Sequence, residues 1–170
     1  MTTNIETDNI VRAAEQSFKQ QVQVMFDKDP TLTSISWSQY TDNYNDGEQC
    51  NFGIQGVLSY HRDSKFPLLS TQEILDETPC YEGPTHPSYV WDTKDPDLIE
   101  LNKEYMQQFV SSDTHIDQSC EWFFKATHRG NEQHKNLLLF LFGDHTKVVI
   151  YRDEETGLVE LYQQEYNDHN

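Results

Sequence analysis

The stretch from Lys147 to Tyr166 limits the choice of fold more than any other part of the chain. Lys147-Val148-Val149-Ile150-Tyr151-Arg152 is dense in β-branched and aromatic residues. Glu154-Glu155-Thr156-Gly157 carries turn chemistry, and Leu158 to Tyr166 returns. That pattern predicts an antiparallel hairpin. A two-stranded hairpin is at best marginal by itself, so the rest of the chain must extend it or cover it.

A second hairpin is predicted between Leu32 and His61. Ile35, Trp37 and Gln39 alternate with Ser34, Ser36 and Ser38, the period of two expected of a half-buried strand. Asn43 to Glu48 gathers Asn, Asp and Gly into a turn. The returning strand, about Gln49 to His61, is interrupted by Gly53 and Gly56, which predicts a bulge or a close backbone approach.

Helical periodicity fills the remaining regular stretches. Ile10, Val11, Ala14, Phe18, Val22 and Phe26 recur at three- and four-residue steps, with Asp8 or Asn9 as cap and Asp29-Pro30 as stop. A short helix around Ser70 to Asp76 has Ser70 or Thr71 to cap it. Asp97 to Ser111 reads as a helix after Asp95-Pro96, and a further one runs from about Asp117 to Thr127. The run before Phe142 reads as a helix closed by Gly143, with a buried strand as the alternative. Pro67, Pro79, Pro84, Pro87 and Pro96 make the middle irregular. The expectation is one α+β domain over residues 1–170, with an irregular insertion at about 62–97. Two hairpins form its antiparallel sheet, and three to four helices pack on one face.

Charge and composition remove several function classes. Lys+Arg 12 against Asp+Glu 29 gives a net charge of −17. Phosphate backbones and anionic lipid surfaces repel such a chain. No apolar run approaches the roughly 20 residues of a membrane-spanning helix. Met1 to Glu6 lacks the basic start and apolar stretch of a signal peptide, so a cytoplasmic location with reduced thiols is expected. The excess is spread along the chain: residues 1–30 carry five acids and three bases, 31–90 eight and two, 91–170 sixteen and seven. On a folded body this is a field that steers toward a basic partner; a merely soluble surface is the alternative.

Catalytic patterns are weak. Cys50, Cys80 and Cys120 form no C-x-x-C pair, and buried inert cysteine is expected of each. Cys120, His128 and His134 have no familiar zinc spacing. Asn45, Asp46 and Glu48 supply too few oxygens for a calcium loop, and a hairpin turn explains them. Asp144-His145 is a neighbouring pair without a nucleophile elbow, and no phosphate-cradling glycine loop occurs. No cofactor, metal or catalytic residue is assigned, and an enzyme is the less favoured reading.

Trp37-Ser38-Gln39-Tyr40-Thr41, Asn45-Asp46-Gly47, Cys50 and Phe52 compose W-x-Q-Y-T-x-x-x-N-D-G-x-x-C-x-F. Phe142-Gly143-Asp144-His145 then precedes a Val-rich strand and an acidic hairpin. Together these resemble uncharacterised bacterial and tailed-phage proteins. The resemblance covers about half of the chain, both ends but not the middle from about Arg62 to Asp117. It implies a phage or prophage origin and no particular activity.

The functional expectation is a non-enzymatic, acidic, phage-encoded interaction protein in the host cytoplasm. It would bind and inhibit or redirect a host protein with a basic surface, such as one that handles nucleic acid, by mimicking DNA in an anti-defence role. Direct nucleic acid and membrane partners are not expected. The candidate contact residues are Asp42, Tyr44, Asp46 and Glu48 in one loop, with Asp76, Glu77, Tyr81, Glu82, Tyr89, Trp91, Asp92 and Asp95 in the other. The aromatics would anchor and the carboxylates would select. The alternatives are a small enzyme built from Asp46, Cys50 and His145, or from Cys120, His128 and His134, and a virion structural or assembly component.

Overall fold

A computed structural model describes residues 3–41, 51–62, 69–79, 96–111, 116, 120–128 and 131–165. Nine elements follow in order: α1 (Thr3–Lys28), β1 (Leu32–Thr41), β2 (Phe52–His61), α2 (Thr71–Glu77), α3 (Pro96–Val110), α4 (Glu121–Ala126), α5 (Glu132–Phe142), β3 (Thr146–Arg152) and β4 (Val159–Glu165). The strands form one antiparallel sheet in the order β2-β1-β3-β4. Both predicted hairpins exist, and β1 and β3 join them along the middle of the sheet. The fold is α+β, as the periodicities predict.

One face of the sheet carries the main core. Ile35 and Trp37 of β1 and Val148 and Ile150 of β3 meet residues of α1, α3, α4 and α5 there. Aromatic rings fill the space between layers. Phe18 of α1 lies 5.6 Å from Phe142 and 6.1 Å from Phe123, both edge-on, and Trp37 lies 5.3 Å from Phe123. Rings this large replace the volume that the modest apolar content leaves unfilled. Polar ties fasten the layers at their edges. Gln21 of α1 donates to the Phe109 carbonyl at 2.9 Å and accepts from the Ile116 amide. Gln23 accepts from the Val159 amide at 2.8 Å, holding the second hairpin to α1.

The opposite face is covered too, which the alternation in β1 does not predict. Ser34, Ser36 and Ser38 are buried rather than solvated. Their small side chains form a trough across the middle of the sheet. Thr78 donates to the Ser36 hydroxyl at 3.0 Å, and the Ser38 hydroxyl donates to the Pro79 carbonyl. Ile74 and Leu75 of α2 pack there on Val149, with Tyr60, Leu69 and Tyr151 around them. A capping box starts α2, with Ser70 and Glu73 satisfying each other's backbone amides. Lys147 donates to the Leu75 carbonyl at 2.8 Å, a favourable place for a cation near a helix C-terminus.

Local predictions shift at the boundaries. α1 begins at Thr3, well before the expected cap at Asp8 or Asn9. α4 is only six residues, because Cys120 at its N-terminus has a left-handed φ of 60°. α5 is a helix, and Gly143 closes it at φ 81°. The bulge in β2 is present: Ser36 pairs with Leu58 and Ser38 with Gln55, so β2 has one extra residue, with Gly56 at φ 59°.

Candidate functional site

Ten of the twelve candidate contact residues lie outside the described residues: Asp42, Tyr44, Asp46, Glu48, Tyr81, Glu82, Tyr89, Trp91, Asp92 and Asp95. Asp76 and Glu77 are described, and both are exposed on α2. Asp76 accepts from Gln72 at 3.0 Å, and Glu77 accepts from the Tyr60 hydroxyl at 3.3 Å. They stand on the trough face of the sheet, beside a cleft.

That cleft has a volume of about 600 Å³. Strand register builds its floor. Ser34 pairs with Tyr60 on one side and Tyr151 on the other, and Tyr151 pairs with Glu160. The row Tyr60, Ser34, Tyr151, Glu160 therefore crosses all four strands on one face. Ser70, which caps α2, with Glu73 and Ile74 of that helix walls one side, and Asp153, Glu154 and Glu155 between β3 and β4 wall another. Ser34 is 2% exposed, and its Oγ has no hydrogen-bond partner among the described residues. Its two sister serines bond Thr78 and Pro79, but Ser34 lies beyond their reach.

The electrostatics of the cleft are negative. Glu73, Glu154 and Glu155 are exposed at its rim, with Asp153 beside them. The backbone amide of Ser70 holds the Glu73 carboxyl below its ordinary pKa, and the Thr156 amide does the same for Asp153. Both stay charged into mildly acidic solution. Burial, then the charge of Glu77, raises the Tyr60 hydroxyl. Arg62 and Arg152 also line the cleft, but their side chains are loosely held or committed elsewhere. Arg152 turns to the other face, donating to the Phe26 carbonyl with its guanidinium 5.6 Å from the Phe26 ring. Arg62 is 4.0 Å from Glu154, with both side chains more than half exposed (52% and 70%).

A second polar group lies at the far end of β1. Trp37 Nε1 donates to Gln39 at 2.9 Å, and Gln39 Nε2 donates to the carbonyls of Leu138 and Gly143. Asp144 accepts from the Thr41 amide, the Thr41 hydroxyl and the His145 amide, at 2.8, 2.6 and 2.8 Å. Thus Trp37-x-Gln39-Tyr40-Thr41 and Phe142-Gly143-Asp144-His145 meet in one corner, where the Trp37 and Phe142 rings are 5.5 Å apart. Four of these six bonds secure backbone groups and the other two tie side chains to one another, so the corner is structural. His145 is the exception: its Nδ1 is buried without a partner among the described residues. Asp46 and Cys50, its companions in the enzyme alternative, lie outside the described residues.

The other cysteine–histidine group does not assemble. Among the described residues no three His, Cys, Asp or Glu side chains are placed to hold a metal ion. Cys120 is buried, which pushes its thiol up to about 11. Such a thiol carries little of the reactive thiolate near neutral pH. His134 stacks edge-on against Trp122 at 4.4 Å, and His128 is exposed beside the Phe124 carbonyl.

The cleft's floor was not among the predicted site residues. Tyr60 and Tyr151 read as ordinary strand aromatics, and Ser34 as a solvent-facing strand residue. The usable signal was the serine stripe itself. Three small polar residues at alternate positions leave room for a covering element. Comparisons found no matching family model, no matching curated protein and no matching solved structure. Among the described residues, no helix is long and apolar enough to cross a membrane.

Proposed function

We propose that this protein is a non-enzymatic, acidic interaction module that binds and inhibits or redirects a protein with a basic surface, in the manner of a DNA mimic. The supporting observation is the carboxylate rim of the trough face. Glu73, Asp153, Glu154 and Glu155 line a cleft floored by two tyrosines, and Asp76 and Glu77 are exposed further along α2, Glu77 accepting from the Tyr60 hydroxyl. An acidic surface around aromatic side chains pairs long-range steering with short-range anchoring. The sequence resemblance adds a phage or prophage origin, and a host protein as target is part of this proposal.

The test is capture on immobilised protein from a bacterial lysate at about 0.05 M and about 0.5 M salt. The expected result is a discrete basic partner held at low salt, released at high salt and displaced by added DNA duplex. A combined Glu73→Gln, Glu154→Gln, Glu155→Gln variant should hold it at least about tenfold less well. Failure to retain a partner, or retention indifferent to these three changes, overturns the reading.

A further inference from the structure

We infer that the cleft over Ser34 receives an arginine side chain from the basic partner, its guanidinium lying between Tyr60 and Tyr151. The inference rests on the acidic-interaction reading and names the group that reading leaves open. Three observations converge on it. The first is register: Tyr60 and Tyr151 flank Ser34 from the two strands beside β1. Their backbones are two strand spacings apart, about 10 Å, with Ser34 the residue between them on the sheet and Ile74 of α2 lining the same cleft. A flat cation suits this site, because planar guanidinium lies flat on aromatic faces and is more weakly hydrated than the compact ammonium.

The second observation is the Ser34 hydroxyl, buried at the floor with no partner among the described residues. A buried polar atom left unmade is costly, and a ligand that parts the side chains over it and donates to it recovers that cost. Guanidinium has five donors and no acceptor, and serine oxygen accepts. The third is charge. Glu73 and Glu154 both line the cleft and supply the counter-charge. The chain's own Arg62 does not fill the role, since its exposed contact with Glu154 is long and readily exchanged. An apolar anchor would bring nothing to either carboxylate, and an anionic ligand would be repelled.

The experiment uses the full chain and two peptides titrated by calorimetry at low salt. Both are lysine- and alanine-rich, and they differ by one central residue, arginine or lysine. The arginine peptide should bind about tenfold more tightly. Tyr151→Leu and Ser34→Ala should each erase most of that preference. Ser34→Ala is the decisive variant, because deleting an unpaired buried hydroxyl leaves thermal stability unchanged or raised. A purely structural serine would give the reverse, unchanged affinity. Equal binding of both peptides, or an arginine preference that survives Ser34→Ala, overturns the pocket and leaves the acidic reading standing. Binding of neither peptide overturns both.

Discussion

Asp144 accepts three hydrogen bonds through a side chain that is 1% exposed. Two come from Thr41, at the end of β1, and one from its own neighbour's backbone. An amide in its place presents a donor to at least one of these donors and removes the charge that strengthens them. Asp144→Asn should therefore cost about 2–3 kcal/mol in urea unfolding. Thr41→Val should cost less, because the Thr41 amide bond remains. The sequence shows Asp144 beside His145 and so suggests chemistry. The fold shows instead that its partners lie about a hundred residues away (103 for Thr41). No local pattern carries that information, because the bond depends on which strand β3 chooses as neighbour.

At the scale of elements, the helices and strands were legible because each follows a single period. What periodicity could not show was the covering of the second sheet face. Alternating Ser with Ile and Trp reads as one dry face and one wet one, and α2 supplies too few residues to announce a second layer. The join is visible in the β2 bulge. A Cβ on Gly56 would lie 2.6 Å from Cδ of Pro79 and 2.8 Å from its Cγ, at a backbone φ of 59°. Gly56→Ala thus meets both steric overlap and left-handed strain. It should lower stability by about 1–3 kcal/mol and loosen α2 first. Hydrogen exchange would show this as faster exchange at the Ile74 and Thr78 amides than in the main core. Uniform acceleration throughout the sheet would contradict it.

The whole molecule should have a stability profile with two limbs. Hydrogen bonds hold Asp29, Glu73 and Asp153 below their ordinary pKa, through Thr31, Ser70 and Thr156 respectively. Their contribution is present above the ordinary carboxylate range and is lost as pH falls through the depressed values. On the alkaline side, burial raises Cys120 from 9.0 to about 11 and Tyr105 from 10.0 to about 12. The unfolded chain releases these protons first, so stability falls as pH climbs above 9. Cys120→Ala should flatten the limb between pH 9 and 11, read from urea midpoints across pH. The candidate site was the least legible feature, since Ser34, Tyr60 and Tyr151 come from three separate stretches of chain. The same topology bears on biosynthesis. The central pairing of β1 with β3 waits for Thr146 to Arg152, although β1 ends at Thr41. At about 5–20 residues per second, β1 spends several seconds with one edge unpaired. During that interval Trp37 and Ile35 lack much of their core, and a long-range pairing of this kind slows folding and leaves apolar surface exposed on the nascent chain.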